Sequence, residues 1–347
     1  MIMATGTTMR TTKTVTLLAA LIACMALIGI AQAQTLRERL KERIEARRAG
    51  TAGSEPTAAD APGTHEEVIE LAGQRRKVIV HVPKGYDPRN ATPLVLAFHG
   101  GGGDAAFMAD DQKYGLVSKS EQAGFIAVFP NGYSKLPGGR FATWNAGACC
   151  GDARDKRVDD VAFTQALVAW AAQRYNVDRR RVYATGMSNG GMLAHRLACE
   201  LPQVFAAVAS VAGTDNTAEC QPSTPVAVLH IHARDDDHVL FNGGAGPGVF
   251  RDESKVTDFT AVPVTVSRWV ARNQCSATPQ RTLQTAGAYC DTYSGCRDGR
   301  EVQLCVTDTG GHSWPGASQV RRGKEPASQA LSANDVIWDF FSRNARR

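Results

Sequence analysis

One stretch constrains this chain more than any other: RVYATGMSNGGMLAHRL, residues 181–197. An apolar strand-like run meets an amphipathic helical run, and the junction reads Gly186-Met187-Ser188-Asn189-Gly190. This is a G-x-S-x-G pattern. A turn of that kind is sharp and strained, neighbouring backbone passes close by, and a Cβ at the flanking positions would clash. It lifts the serine above the end of a sheet at a helix N-terminus. A Gly-rich strand-to-helix turn without chemistry reads the same way in isolation, so the surroundings decide.

From about Glu66 onward, strands and helices alternate. EVIELAGQRRKVIVHVP reads as a hairpin. PLVLAFHG, GFIAVFP, RVYATG, FAAVASVAG, VAVLHIH and EVQLCVTD read as strands. VAFTQALVAWAAQRY, NGGMLAHRLACE, VPVTVSRWVARNQ and SANDVIWDFFSR carry apolar residues at helical spacing, the last with Ser332 and Asp335 as a capping box. Wholly apolar strands separated by helices predict an α/β fold with a mostly parallel central sheet and helices on both faces. One domain, 64–345, is expected.

What precedes it is expected to lie outside the fold. Arg10 and Lys13 lead into VTLLAALIACMALIGIA and a small-x-small site ending at Ala33. Residues 1–33 therefore read as a signal peptide and predict secretion to the periplasm or the medium. LIAC, residues 21–24, also looks like a lipobox that would lipidate Cys24, but the apolar run continues past Cys24. Residues 34–63 read as a charged helix followed by a flexible linker. The formal charge of +5 is carried by these segments, leaving residues 51–347 near neutral. No nucleic-acid partner and no stable membrane association are expected of such a body.

Beyond the leader stand eight cysteines: Cys149, Cys150, Cys199, Cys220, Cys275, Cys290, Cys296 and Cys305. An even number in an exported chain predicts a disulfide-stapled fold. Cys290 and Cys305 flank a short turn as a cross-strand pair would. Cys149 and Cys150 are adjacent and are expected to bond to two different partners, Cys199 and Cys220.

FHGGGGD, residues 98–104, follows an apolar strand. Its glycines allow backbone N–H groups to face a developing oxyanion; Gly101 and Gly102 are the expected donors there, with the N–H of Asn189 after the nucleophile. In a fold built on this elbow the chain order is serine, acid, histidine. His312, in TGGHSWPG after the last strand, is the expected base. The acid lies in HIHARDDDH, residues 230–238, on the loop after a strand. The same nine residues could instead hold a metal, since His230 and His232 share one strand face. Spacing misses the H-x-H-x-D-H pattern by one residue, and neither a metal nor any cofactor is expected. Asp159 and Asp160 open a helix and read as structural. Trp269 reads as core, while Trp144 and Trp314 are expected walls of the substrate cleft.

HGGGG, WNAGACCG, VDDVAF, TGMSNGGMLAHRLACE and GGHSWPG together resemble the esterase/polyhydroxybutyrate depolymerase family of the α/β-hydrolase superfamily, which includes feruloyl and acetylxylan esterases. The likeness spans roughly residues 66–343. Its acid pattern, H-G-T-x-D-x-x-V-P-Y-x-G-G, falls on His232 to Gly244 and places the acid at Asp236. Ala233, Arg234 and Leu240 depart from it, which keeps Asp235 as an alternative. The resemblance implies a secreted serine ester hydrolase with Ser188 as nucleophile, His312 as base and Asp236 as orienter, acting through an acyl-enzyme. Only about 35 residues follow His312, so no appended polymer-binding domain is expected. Soluble esters are the expected substrates: feruloyl or acetyl saccharides, or hydroxybutyrate oligomers. A polyester or polyamide depolymerase, such as one acting on poly(aspartate), is the alternative with the same triad.

Overall fold

A computed structural model of the chain describes residues 61–217, 219–249, 258–318 and 326–346. The expected leader with Cys24, and the charged segment as far as residue 60, lie outside the described residues. Among those described, no helix is long and apolar enough to cross a membrane.

Ten strands form one sheet: β1 (Gly63–Leu71), β2 (Gln74–Val82), β3 (Thr92–Phe98), β4 (Ile126–Pro130), β5 (Val177–Met187), β6 (Ala207–Val211), β7 (Ala227–Ala233), β8 (Gln280–Thr285), β9 (Ala288–Tyr293) and β10 (Val302–Thr307). Their order is β1-β2-β4-β3-β5-β6-β7-β10-β9-β8. The centre, from β4 through β10, is parallel, and an antiparallel ribbon flanks each side. The expected hairpin is β1–β2, joined at Leu71↔Gln74. β8 had no sequence signal. Its QRTLQT is polar and mostly exposed, as suits an edge strand, and offers no apolar alternation to read.

The principal helices are α1 (Leu116–Ala123), α2 (Asp160–Arg174), α3 (Asn189–Glu200), α4 (Val262–Arg272) and α5 (Ala333–Arg343). They cover both faces of the sheet, because β3 is buried on both. Leu94, Leu96 and Phe98 pack into a core with Phe163 and Leu167 of α2, Leu193 and Leu197 of α3, and Trp269 of α4. Val95 and Ala97 pack into the other core with Leu116 of α1 and Ile337, Phe340 and Phe341 of α5. Period-two alternation thus places successive β3 side chains in different cores. α5 is capped by Ser332, whose hydroxyl accepts from the Asp335 N–H at 3.3 Å; this is one half of the expected capping box, the Asp335 carboxylate pairing with Lys119 Nζ at 2.6 Å.

Cys290 and Cys305 face each other across β9 and β10 and are bonded, as expected. Cys275 bonds to Cys296. The expectation for the other four is corrected: Cys199 bonds to Cys220, and Cys149 is paired with Cys150. Distance along α3 is the reason. Cys150 stands at the Ser188 end of the sheet, whereas Cys199 lies eleven residues further down the helix, roughly 16 Å at 1.5 Å per residue. The return connection from β6 to β7 brings Cys220 to that far end, with a Cα–Cα separation of 5.4 Å.

Candidate active site

β5 ends at Met187 and α3 begins at Asn189, so Ser188 is the whole turn. Its backbone stands at φ 55° and ψ −122°, in a region L-residues avoid. The turn is held on both sides: the Ser188 N–H donates to the Val211 carbonyl of β6 at 2.8 Å, and its own carbonyl accepts from the Met192 N–H at 2.9 Å. Glycine is required at 190 for the predicted reason. A Cβ there would stand 2.6 Å from the His99 carbonyl oxygen and closer still to that of Phe98.

The Gly-rich loop after β3 meets this elbow. His99 shapes it: Nδ1 donates to the Gly100 carbonyl at 2.8 Å, and Nε2 accepts from the Gly132 N–H at 2.9 Å. Complete burial drops the imidazole to about 4, so it stays neutral and keeps that tautomer. Gly101 lines both small cavities that touch Ser188. The expectation for Gly102 is corrected, because its N–H is already spent on the Ala142 carbonyl at 2.8 Å. Asn189 is the first residue of α3, so its N–H has no partner within the helix. Its side chain clamps the Trp144 backbone, accepting from the N–H at 2.7 Å and donating to the carbonyl at 2.9 Å.

Trp144 and Trp314 are not cleft walls. Both are completely buried. The Trp144 indole donates to the His99 carbonyl at 3.0 Å, bracing the Gly loop from behind. The Trp314 indole donates to Asn334 Oδ1 at 3.0 Å and packs edge-on against Tyr114. Both rings find their partners inside the fold, as buried indoles must. Cavity walls come instead from Phe107, Tyr114 and Met187 on one side of Ser188, and from Met192, His238 and Phe259 on the other.

The loop after β7 carries the three aspartates, and each has a different task. Asp236 is buried. Its Oδ2 lies 2.9 Å from His312 Nδ1, while Oδ1 accepts from the N–H groups of His238 at 2.8 Å and Val239 at 2.9 Å. Burial alone would raise this carboxyl. His312 and His232 beside it outweigh that and hold it well below the usual carboxylate range. Asp235 points at the histidine's own loop, accepting from the N–H groups of Gly310 at 3.3 Å and Gly311 at 2.9 Å. Asp237 pairs with His238 Nδ1 at 2.5 Å. The His238 ring stacks on His312, with centroids 4.5 Å apart and planes 10° apart. Spacing within HIHARDDDH could not show the roles of Asp235 and His238, since both partners come from the loop after β10.

Ser188, His312, Asn189 and Gly101 line one cavity of about 200 Å³, together with His238. A second cavity, about 170 Å³, opens on the other side of Ser188. His230 and His232 face away from both. Their ring nitrogens bond to one another, to His195 and to the Val239 carbonyl, so neither offers a free ligand atom. Asp236, His238 and His312 do place three ligand-type atoms within 4.8 Å of one another, but the Asp236 oxygens already accept from the groups just described. Asp159 caps α2 by accepting from the Ala162 N–H at 2.9 Å. Asp160 is an ion-pair partner as well as a helix-opening residue. It lies buried against Arg76 at 2.6 Å and accepts from the Asn145 N–H, which fixes the segment beside Trp144.

Comparison with known proteins agrees with this fold. The family model described as "Putative esterase" matches residues 69–315. Feruloyl esterase B of Piromyces equi is 31% identical over 243 residues, covering 69% of this chain but 42% of that protein's length. Feruloyl esterase C of Emericella nidulans is 26% identical over 292 residues, covering 82% of this chain and 90% of the relative. The structure of an acetyl xylan esterase from Aspergillus awamori superposes with a TM-score of 0.53 at 15% identity, over 81% of this chain and 99% of that one. With the sheet order and the serine elbow already described, the family match leads to one conclusion: this chain belongs to the esterase family and has the α/β-hydrolase fold.

Proposed function

We propose that the chain is a serine carboxylic-ester hydrolase working through an acyl-enzyme. Ser188 is the nucleophile, His312 the general base and Asp236 the residue that orients it. The observation that carries this reading is the pairing of His312 Nδ1 with the buried Asp236 carboxylate, on the wall of the cavity that Ser188 enters from its elbow. Ser188 Oγ attacks the ester carbonyl and its proton passes to His312 Nε2. The oxyanion is held by the N–H groups of Asn189 and Gly101. As the C–O bond breaks, the alcohol leaves with the proton from His312. Water then attacks the acyl-enzyme, gives its proton to His312, and releases the acid as Ser188 recovers its hydrogen.

Two small cavities flanking Ser188 suit an ester divided between a compact acyl group and its alcohol. Phe107 and Tyr114 give one of them an aromatic wall. Together with the names of the relatives, this favours feruloyl or acetyl esters of saccharides, with hydroxybutyrate oligomers next. Export is part of the proposal, supported by the leader-like residues 1–33 and by the three long-range disulfides. The test is hydrolysis of methyl ferulate, acetylated xylan, hydroxybutyrate oligomers and nitrophenyl esters by wild type and Ser188→Ala, with fluorophosphonate labelling of both. Labelling of wild type alone, with ester cleavage lost in the variant, is expected. An unlabelled wild type, or a panel left intact while poly(aspartate) is cut, refutes the mechanism or the substrate class respectively.

A further inference from the structure

A row of buried histidines runs behind the site and ends on Asp236. The Trp269 indole of α4 donates to His195 Nδ1 at 3.0 Å. His195 Nε2 of α3 lies 3.3 Å from His230 Nδ1, and His230 Nε2 lies 3.1 Å from His232 Nδ1, both on β7. His232 Nε2 faces the Val239 carbonyl at 2.8 Å and Asp236 Oδ2 at 3.2 Å. The ring planes are nearly parallel, 26° and 12° apart, with centroids 5.5 and 5.2 Å apart along the row, so the rings meet edge to edge through these nitrogens. All three histidines are essentially inaccessible to water.

The two ends set the direction of every bond between them. An indole N–H can only donate, so His195 Nδ1 is an acceptor and its proton sits on Nε2. That proton has two acceptors in reach, His230 Nδ1 at 3.3 Å and the Gly213 carbonyl; donation to His230 places the His230 proton on Nε2, and the same step places the His232 proton on Nε2. At the far end a carbonyl oxygen and a carboxylate can only accept, which demands the same His232 tautomer. Burial lowers His195 to about 4 and takes His230 well below its ordinary value, so both are neutral, with one donor and one acceptor each. The charged groups around the row are Asp236 at one end and the Asp215–Arg272 ion pair at the other. His312 and His238 lie beyond Asp236.

We propose that Trp269, His195 and His230 are positioning residues that keep His232 neutral, so that the charge of Asp236 is reserved for His312. The proposal rests on the triad reading above. The physical reason lies at His232 Nδ1. Its lone pair is occupied by the His230 N–H, and a proton arriving there would meet a donor rather than an acceptor. Without that donor, His232 could take a second proton beside an ionised carboxylate and compete with the His312 imidazolium for it.

The experiment uses the full chain with ¹⁵N-labelled histidine. Two-bond ¹H–¹⁵N spectra report the tautomer and charge of each ring, assigned by single His→Gln variants. In wild type His195, His230 and His232 should be neutral Nε2–H tautomers throughout pH 5–9, and the acidic limb of kcat/KM should follow one ionisation. His230→Phe removes the donor and keeps a flat ring; His232 should then titrate within that range and kcat/KM should show a second acidic ionisation. His230→Gln retains an N–H donor and should restore the single limb. An Nδ1–H tautomer at any of the three in wild type overturns the proposal even if no variant folds. So does a folded His230→Phe whose His232 stays neutral and whose pH profile is unchanged. The spectra do not depend on Ser188, so failure of the esterase reading would show separately, as absent fluorophosphonate labelling.

Discussion

Asp236→Asn is the substitution that bears most directly on the proposed mechanism. The carboxylate accepts from the His238 and Val239 N–H groups at one oxygen, and faces His312 Nδ1 and His232 Nε2 at the other. An asparagine retains one acceptor oxygen and puts an NH₂ donor in place of the second. With its oxygen on the two backbone N–H groups, that NH₂ meets two imidazole N–H donors. His312 must turn away or move its proton to Nε2, and an Nε2–H cannot take a proton from Ser188. The variant also loses the negative charge that stabilises the imidazolium. Together these should cost about 4–5.5 kcal/mol at the transition state, or roughly 10³–10⁴ in kcat at 1.36 kcal/mol per tenfold. KM should move by less than about threefold, since the carboxylate lies behind His312. The assay is steady-state hydrolysis of nitrophenyl acetate, with Asp235→Asn measured alongside. Asp235 accepts from the Gly310 and Gly311 N–H groups, so its loss should loosen the His312 loop and cost about tenfold or less. An Asp236→Asn enzyme within tenfold of wild type, or an Asp235→Asn enzyme that is the more damaged of the two, would refute the assignment of the acid.

The same carboxylate shapes acid stability. Its folded pKa lies well below the unfolded value of about 3.9, so the unfolded chain binds more protons in between; the stabilisation is complete above about pH 4 and is lost as pH falls further. Thermal unfolding of wild type should therefore drop more steeply from pH 5 to pH 2.5 than that of Asp236→Asn, and parallel slopes would count against the buried ionised state. Gly190→Ala drives a Cβ into the β3 backbone at Phe98 and His99 and should cost more than about 3 kcal/mol, seen as a collapsed melting temperature or insoluble protein; a variant that melts like wild type would contradict the close approach. Cys199→Ser opens a disulfide spanning 21 residues and should lower stability to urea by about 3 kcal/mol while sparing kcat, because the bond lies at the far end of α3. Activity should be indifferent to EDTA, and a loss restored by added zinc would point to metal binding at Asp236, His238 and His312.

What could be read in the sequence follows from where each signal is stored. The serine elbow is local: strand, serine, helix and clearing glycines are consecutive, so residues 186–190 announce it without a structure. The central strands are nearly as plain, because burial on both faces demands unbroken apolar runs. The capping box on α5 and the cross-strand Cys290–Cys305 pair are short-range as well. β8 is hard to see because an exposed edge strand need not be apolar. The partner of Gly102 is hidden for a related reason. Any glycine in a run of four could offer its N–H to an oxyanion, and only the fold shows that Ala142 has already taken this one.

The aromatic and acidic residues show the deeper limit. A tryptophan beside a catalytic loop can line the cleft or brace the loop from inside, and both uses put it at the same place in the chain. Trp144 braces, because Asn189 pulls its backbone under the elbow and its indole has the His99 carbonyl to satisfy. The three consecutive aspartates are alike in type and differ only in direction. Asp235 turns to the Gly310–Gly311 backbone, Asp236 to the His312 ring, and Asp237 to His238. Two of those directions converge on the loop after β10, one fixing its backbone and the other the His312 imidazole. The cluster of charge that first suggests a metal therefore works as two fasteners on one loop, each joining residues 76 apart in the chain, because β7 and β10 are neighbours in the sheet and their loops leave it side by side.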